Sequence, residues 1–213
     1  ESDSLLVEKI TGQVVPSLDQ LDAFFPESPG SVIRIVLAKS EEEYFRQARV
    51  RIPEWSQAIA FTGDGRIVMN LSSPEAIRSS PGILIHEIWH ILLRRHYPGA
   101  RVPVWVNEGL AQHFEGEQLG FEQKRRLGTA LSTGRLIDLM ALDTVLTFGR
   151  ARAMLAYIEA LSATDFLIQQ HGINSVKTIL EELDRGADID TAFLNTVGYD
   201  FIDFEIAWYE FLS

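Results

Sequence analysis

Apolar residues follow two different periods along this chain. Over residues 16–25, Leu18, Leu21, Phe24 and Phe25 recur at helical spacing, and Pro26 marks a stop. Val32-Ile33-Arg34-Ile35-Val36-Leu37 is rich in β-branched side chains and reads as a buried strand. Ser40 with Glu43 three residues on is a capping box, which predicts a short helix to about Arg49. Two short apolar runs, Ala58-Ile59-Ala60-Phe61 and residues 66–71, flank Thr62-Gly63-Asp64-Gly65, the signature of a hairpin. From about residue 79 the period becomes helical. Ser79-Ser80-Pro81 offers a hydroxyl and a first-turn proline, so a helix is predicted from there to about His96, before Tyr97-Pro98-Gly99. Further helices are predicted from near Val106 to Glu115-Gly116, over 121–131, over 151–171 with Gly172 as its stop, and over 173–183, 189–196 and 201–212. Strands first and helices afterwards predict an α+β fold. The expected organisation is a single domain, 1–213, with a sheet-bearing lobe over 1–97 and a helical lobe over 98–213.

Composition narrows what such a fold can do. A chain of 213 residues, 46% hydrophobic, can bury roughly 70% of its unfolded surface and needs no covalent staple. The absence of cysteine excludes disulfides, a thiolate-bound zinc, an iron–sulfur cluster and a thiol nucleophile. Nineteen basic residues against 30 acidic ones give a net charge of −11, which argues against a nucleic-acid partner. No apolar run approaches the ~20 residues of a membrane span. The opening Glu1-Ser2-Asp3-Ser4 lacks an initiator Met, and a processed, exported or cell-envelope protein is expected from it. The sequence sets no oligomeric state.

The chemistry concentrates in His86-Glu87-Ile88-Trp89-His90. On a helix, residues four apart lie about 40° apart in azimuth and one turn apart in height, so His86 and His90 can share one metal ion. Glu87 is about 100° round from His86, badly placed to ligate but able to face a water at the metal. Zinc brings the pKa of such a water towards neutrality, and a carboxylate can take its proton. As core residues the three would be costly, because an ionised Glu is almost never buried without a partner. A catalytic zinc wants three protein ligands and one open position. Glu108, in Trp105-Val106-Asn107-Glu108-Gly109-Leu110-Ala111, is the candidate third ligand, with seventeen residues between it and His90 for a turn and a returning helix. The alternative is an acidic residue in the first turn of that helix, favoured by the dipole alone.

Together, His86-Glu87-Ile88-Trp89-His90 and the Asn107-Glu108-Gly109-Leu110-Ala111 element resemble the gluzincin zinc metallopeptidases. The likeness is nearest to the bacterial peptidase MA-like group and more distant to thermolysin and the aminopeptidase N family. Softer similarity runs from about residue 16 to the end. The resemblance implies a zincin-like fold: a small mixed β-sheet in an N-terminal lobe, a helical C-terminal lobe, and the active-site helix between them. It implies one catalytic Zn2+ held by His86, His90 and Glu108, with Glu87 as base and then acid. It implies that Ala58, Ile59, Ala60 and Phe61 form an edge strand that pairs with a peptide or protein substrate, the alternative being a plain sheet edge. That strand lacks the Glu with which aminopeptidases hold a free amine, so an endopeptidase is expected. Tyr157 matches in position the tyrosine with which those relatives steady the oxyanion; a core tyrosine is the other reading. Gln112, one turn beyond Glu108, is a candidate to orient the imidazoles, against a plain solvated glutamine. Two rival functions stand beside the peptidase: a non-catalytic peptide- or partner-binding module, and a zinc hydrolase of non-peptide amides. A structural zinc would be closed by a fourth protein group, with His113 and His171 as candidates.

Overall fold

The computed structural model describes residues 3–26, 32–50 and 56–213. Glu1 and Ser2 of the opening tetrapeptide lie outside these. The described residues are mostly helical with one three-stranded mixed sheet, an α+β arrangement. It divides into two compact units, residues 1–96 with 114–117, and residues 97–113 with 118–213.

The first unit holds α1 (Asp3–Phe24), β1 (Arg34–Ala38), α2 (Glu41–Ala48), β2 (Ala58–Phe61), β3 (Arg66–Asn70) and α3 (Pro74–His96). β3 is the central strand: β1 runs parallel to it, with Val36 opposite Val68, and β2 antiparallel, with Ile59 opposite Val68. The predicted hairpin is therefore present. The predicted strand over 32–37 begins two residues later and is less buried than expected, with Arg34 and Ile35 exposed, because it pairs only with β3 among the described residues. Side chains alternate across β3. Val68 packs with Ala38 and Tyr44, while Ile67 and Met69 are buried on the opposite face.

Two helices begin earlier than their patterns suggested, each across a proline. Helix α1 carries Pro16 within it, because Ile10, Val14, Leu21 and Phe24 continue one buried stripe through that position. Helix α3 starts not at Ser79-Ser80-Pro81 but at Ser73-Pro74, where the Ser73 hydroxyl accepts from the Ala76 amide at 3.1 Å. Pro81 is internal. It cannot donate to the Ile77 carbonyl, and the buried Ser80 hydroxyl does so instead at 2.9 Å. The predicted cap of α2 is observed, with Ser40 Oγ accepting from the Glu43 amide at 3.2 Å. The Glu43 carboxylate reaches back to the Lys39 amide rather than that of Ser40.

The second unit is helical. α4 (Val104–Glu115) gives its last residues, Phe114 and Glu115, to the first unit. Beyond it come α5 (Phe121–Ser132), a 3₁₀ segment (Leu139–Thr147), α6 (Arg150–His171), α7 (Ile173–Asp184), α8 (Ile189–Val197) and α9 (Phe201–Leu212). From Ile158 to Ala163 every residue of α6 is buried, as expected of a helix enclosed on all sides. Trp105 stacks on Phe204 at 5.5 Å between ring centroids, beside Phe193 and Phe201, and Trp208 donates to Ser162 at 3.1 Å. Among the described residues no helix is long and apolar enough to cross a membrane.

Candidate metal centre

Helix α3 buries Ile85, Ile88, Trp89 and Ile91 and leaves His86, Glu87 and His90 only half-buried. Trp89 anchors it: its ring stacks on Phe114 at 5.0 Å and meets Phe24 and Phe25 at 5.4 and 5.1 Å. This packing fixes the rotation of α3 about its axis. The His86 and His90 rings lie 4.9 Å apart at 76°, on the same side of the helix, as their spacing requires.

Glu108 lies in the second turn of α4, not the first, because the helix begins at Val104, whose amide is capped by Asp143 at 2.9 Å. The first turn of α4 contains no acidic residue. Dipole stabilisation, which fades beyond the first turn, therefore explains Glu108 poorly. One donor atom each from His86, His90 and Glu108 lie within 4.8 Å of one another. The three could hold a metal ion. Two imidazoles and a carboxylate suit a borderline ion such as zinc.

A fourth residue, with no role among the sequence-based expectations, completes the geometry. Glu115 accepts from His86 Nδ1 at 3.1 Å. An ionised carboxylate can only accept, so Nδ1 carries the proton and Nε2 keeps its lone pair for a metal. Gly82, one turn before His86, makes room for Glu115: a methyl there would come within 3.0 Å of its Cγ and Oε1. The signal was present in the spacing, since Glu115 lies seven residues, two turns, after Glu108 and on the same face of the helix.

The other site candidates occupy varied settings. Gln112 is buried, and its amide nitrogen donates to the carbonyls of Glu108 at 3.2 Å and Tyr157 at 3.0 Å. It thereby ties α4 to α6. Gly109 permits that approach, because a side chain there would overlap the Thr164 hydroxyl and the Ala160 carbonyl. Tyr157 is half-buried and lines a small open pocket with Val104, Glu108, Leu142, Val145, Ala156 and Ala160. Ala58, Ile59, Ala60 and Phe61 form β2, an edge of the sheet among the described residues. Asn70 donates to the Gln57 carbonyl, so by alternation Ala58 and Ala60 turn their amide groups away from β3, and Ser56 already occupies the Ala58 carbonyl at 2.8 Å. Glu87 acts on Tyr44, whose hydroxyl is pushed up by burial and, in the same direction, by the Glu87 charge, with the Ser56 hydrogen bond opposing both. His113 and His171 are engaged elsewhere, with Asp165 at 2.9 Å and with the Tyr199 hydroxyl at 2.6 Å.

A model of the Peptidase MA superfamily matches residues 23–213. The chain belongs to that superfamily, a family of metallopeptidase-like fold. No curated protein and no solved structure matches it.

Proposed function

We propose that this protein is a zinc-dependent peptidase of gluzincin type that cleaves internal peptide bonds. The observation that carries the reading is the convergence of His86, His90 and Glu108, with a half-buried Glu87 next to His86 in the same helix. A zincin-like arrangement, with a sheet-bearing N-terminal lobe and a helical C-terminal lobe, belongs to the same reading. His86 and His90 would hold the ion through ring nitrogens, and Glu108 through a carboxylate oxygen. When bound, zinc supplies Lewis acidity, which acidifies a water and polarises the scissile carbonyl.

The chain's own residues do the rest. Glu115 holds the His86 ring in the tautomer that presents Nε2. Glu87 takes a proton from the attacking water and returns it to the departing nitrogen. The Tyr157 hydroxyl donates to the oxygen on which charge develops. β2 aligns an extended peptide through the outward amide groups of Ala60. The small apolar pocket at Glu108 and Tyr157 receives a side chain next to the cleaved bond.

The test is metal analysis of the purified chain together with peptide-library cleavage, with and without a chelator. One zinc per chain and chelator-sensitive cleavage at internal bonds are expected. Zinc bound at full stoichiometry with no cleavage of peptides points to the binding module, and cleavage of amides other than peptides points to the wider hydrolase.

A further inference from the structure

Glu159 is the most unusual side chain of the second unit. It lies in the middle of α6 at 0% exposure. A carboxyl group so placed is costly unless its oxygens are engaged. Both are: the Ile137 amide donates to them at 3.2 and 3.1 Å. Two residues on, the Leu139 amide donates to Glu205 of α9 at 2.9 Å. Carboxyl groups from two helices therefore hold alternate amides of one short stretch. Asp138, between them, caps the 3₁₀ segment Leu139–Thr147 by accepting from the Met140 amide at 2.8 Å.

That segment reaches the candidate site in two ways. Its Asp143 caps the first residue of α4, Val104. Its Leu142 and Val145 are walls of the pocket that Glu108 and Tyr157 share. A 3₁₀ run of this length is uncommon and has poor internal hydrogen-bond geometry, so its placement depends on external anchors.

We propose that Glu159, together with Glu205, is a positioning residue for the site: by gripping the amides of Ile137 and Leu139 it sets the 3₁₀ segment, and through that segment the start of α4 and the apolar wall beside Glu108 and Tyr157. That this wall faces a substrate rests on the peptidase reading; the anchoring itself does not. Packing alone would be served by an apolar residue of the same volume, so the retained carboxyl has a hydrogen-bonding task. Burial pushes Glu159 up to about 8, and the Glu205 charge acts in the same direction, while its bond from Ile137 and the charge of Arg152 oppose them. Tyr209, on α9, is pushed up by burial and by the charges of Glu205, Asp138 and Glu159, and so remains neutral. At neutral pH Glu159 is thus mostly a neutral acid, whose carbonyl oxygen can hold the Ile137 amide beside the Glu205 carboxylate without repelling it. Above about pH 8 it becomes a second carboxylate in a dry site next to the first.

The experiment is hydrogen exchange of the full chain, free of metal and substrate, from pH 6 to 9.5. It compares the native sequence with Glu159→Gln and Glu159→Ala. After correction for the intrinsic rate, the amides of residues 137–147 in the native chain should lose protection by up to about tenfold per pH unit from pH 6 to 8 and level off above that, while those of α7 hold. Glu159→Gln keeps an acceptor for Ile137 and has no proton to lose, so its protection should stay level across the range. Glu159→Ala should be unprotected over 137–147 at every pH. A native profile that is flat from pH 6 to 8, or a Gln variant that loses protection over that range as the native chain does, overturns the proposal. That comparison stands even if the Ala variant does not fold. Loss of the peptidase reading would look different: no variant cleaves peptides, yet the exchange pattern is as described.

Discussion

Helices α3 and α6 each carry an acidic residue in the middle of an apolar run, and the fold treats the two differently. Glu87 is left half-buried at the edge of the buried face of α3, one residue from His86 and three from His90. Glu159 is sealed in α6, with both oxygens on a backbone amide. A carboxylate that is to take a proton from water must reach water. One that is to hold a backbone segment does so best where water cannot compete for the amide. The same side chain thus serves as a candidate base or as an anchor according to its solvent access, which the helix alone does not fix.

The comparison can be broken most directly at the imidazoles. His86→Ala and His90→Ala should each abolish stoichiometric zinc binding, read by metal analysis after dialysis, because two protein ligands hold zinc far more weakly than three. Zinc content unchanged in both variants would remove the metal centre altogether. Glu87→Gln probes the wet carboxylate. It should bind zinc normally and lower kcat by about 10² to 10⁴, the range for a lost general base. Full turnover in this variant would show that solvent access at Glu87 has no catalytic meaning.

Glu115→Ala should have a smaller effect, weakening zinc binding by about 10 to 100-fold without removing it, as is usual when the partner of a ligating imidazole is lost. Competition with a chelating dye measures it, and an unchanged affinity would make the Glu115–His86 bond incidental. The dry carboxyl is probed by pH rather than by metal. Glu159 ionises near 8 in the fold and near 4.5 when exposed, so the folded chain holds more protons than the unfolded one between those values. Its contribution to stability is therefore whole below about pH 4.5, falls by up to about 1.4 kcal/mol per pH unit as pH rises to 8, and changes no further above that. Urea denaturation at pH 5, 6.5 and 8 should show this slope in the native chain and a shallower one in Glu159→Gln. Equal slopes would place the linked proton elsewhere.

Much of this is legible in the sequence. The pairing of His86 with His90 follows from a four-residue spacing on a helix, and a helix was already required by the surrounding apolar period. The helices over residues 150–212 start and stop within a residue or two of their signals, because their caps are local: Asp188 accepts from the Thr191 amide, and Asp200 from the Asp203 amide. The start of α3 was misplaced because two serine–proline pairs compete for it. Ser73-Pro74 begins the helix, and Pro81 is tolerated inside only because Ser80 serves the carbonyl that Pro81 abandons.

Nothing in the residues around Glu159 announces that it is dry, since one glutamate in a long helix reads as solvated. Its burial comes from the 3₁₀ segment and from α9, which are distant in the chain. Glu115 shares a helical face with Glu108 in the sequence, but its bond to His86 spans 29 residues, beside the stack of Phe114 on Trp89. Gly109 is written in the motif, yet its reason is the Ala160 carbonyl of another helix pressed against it. Periods, caps and ligand spacings are local physics and can be read along a chain. Solvent access, and the partner that a polar atom finds, depend on residues that meet only when the chain has folded.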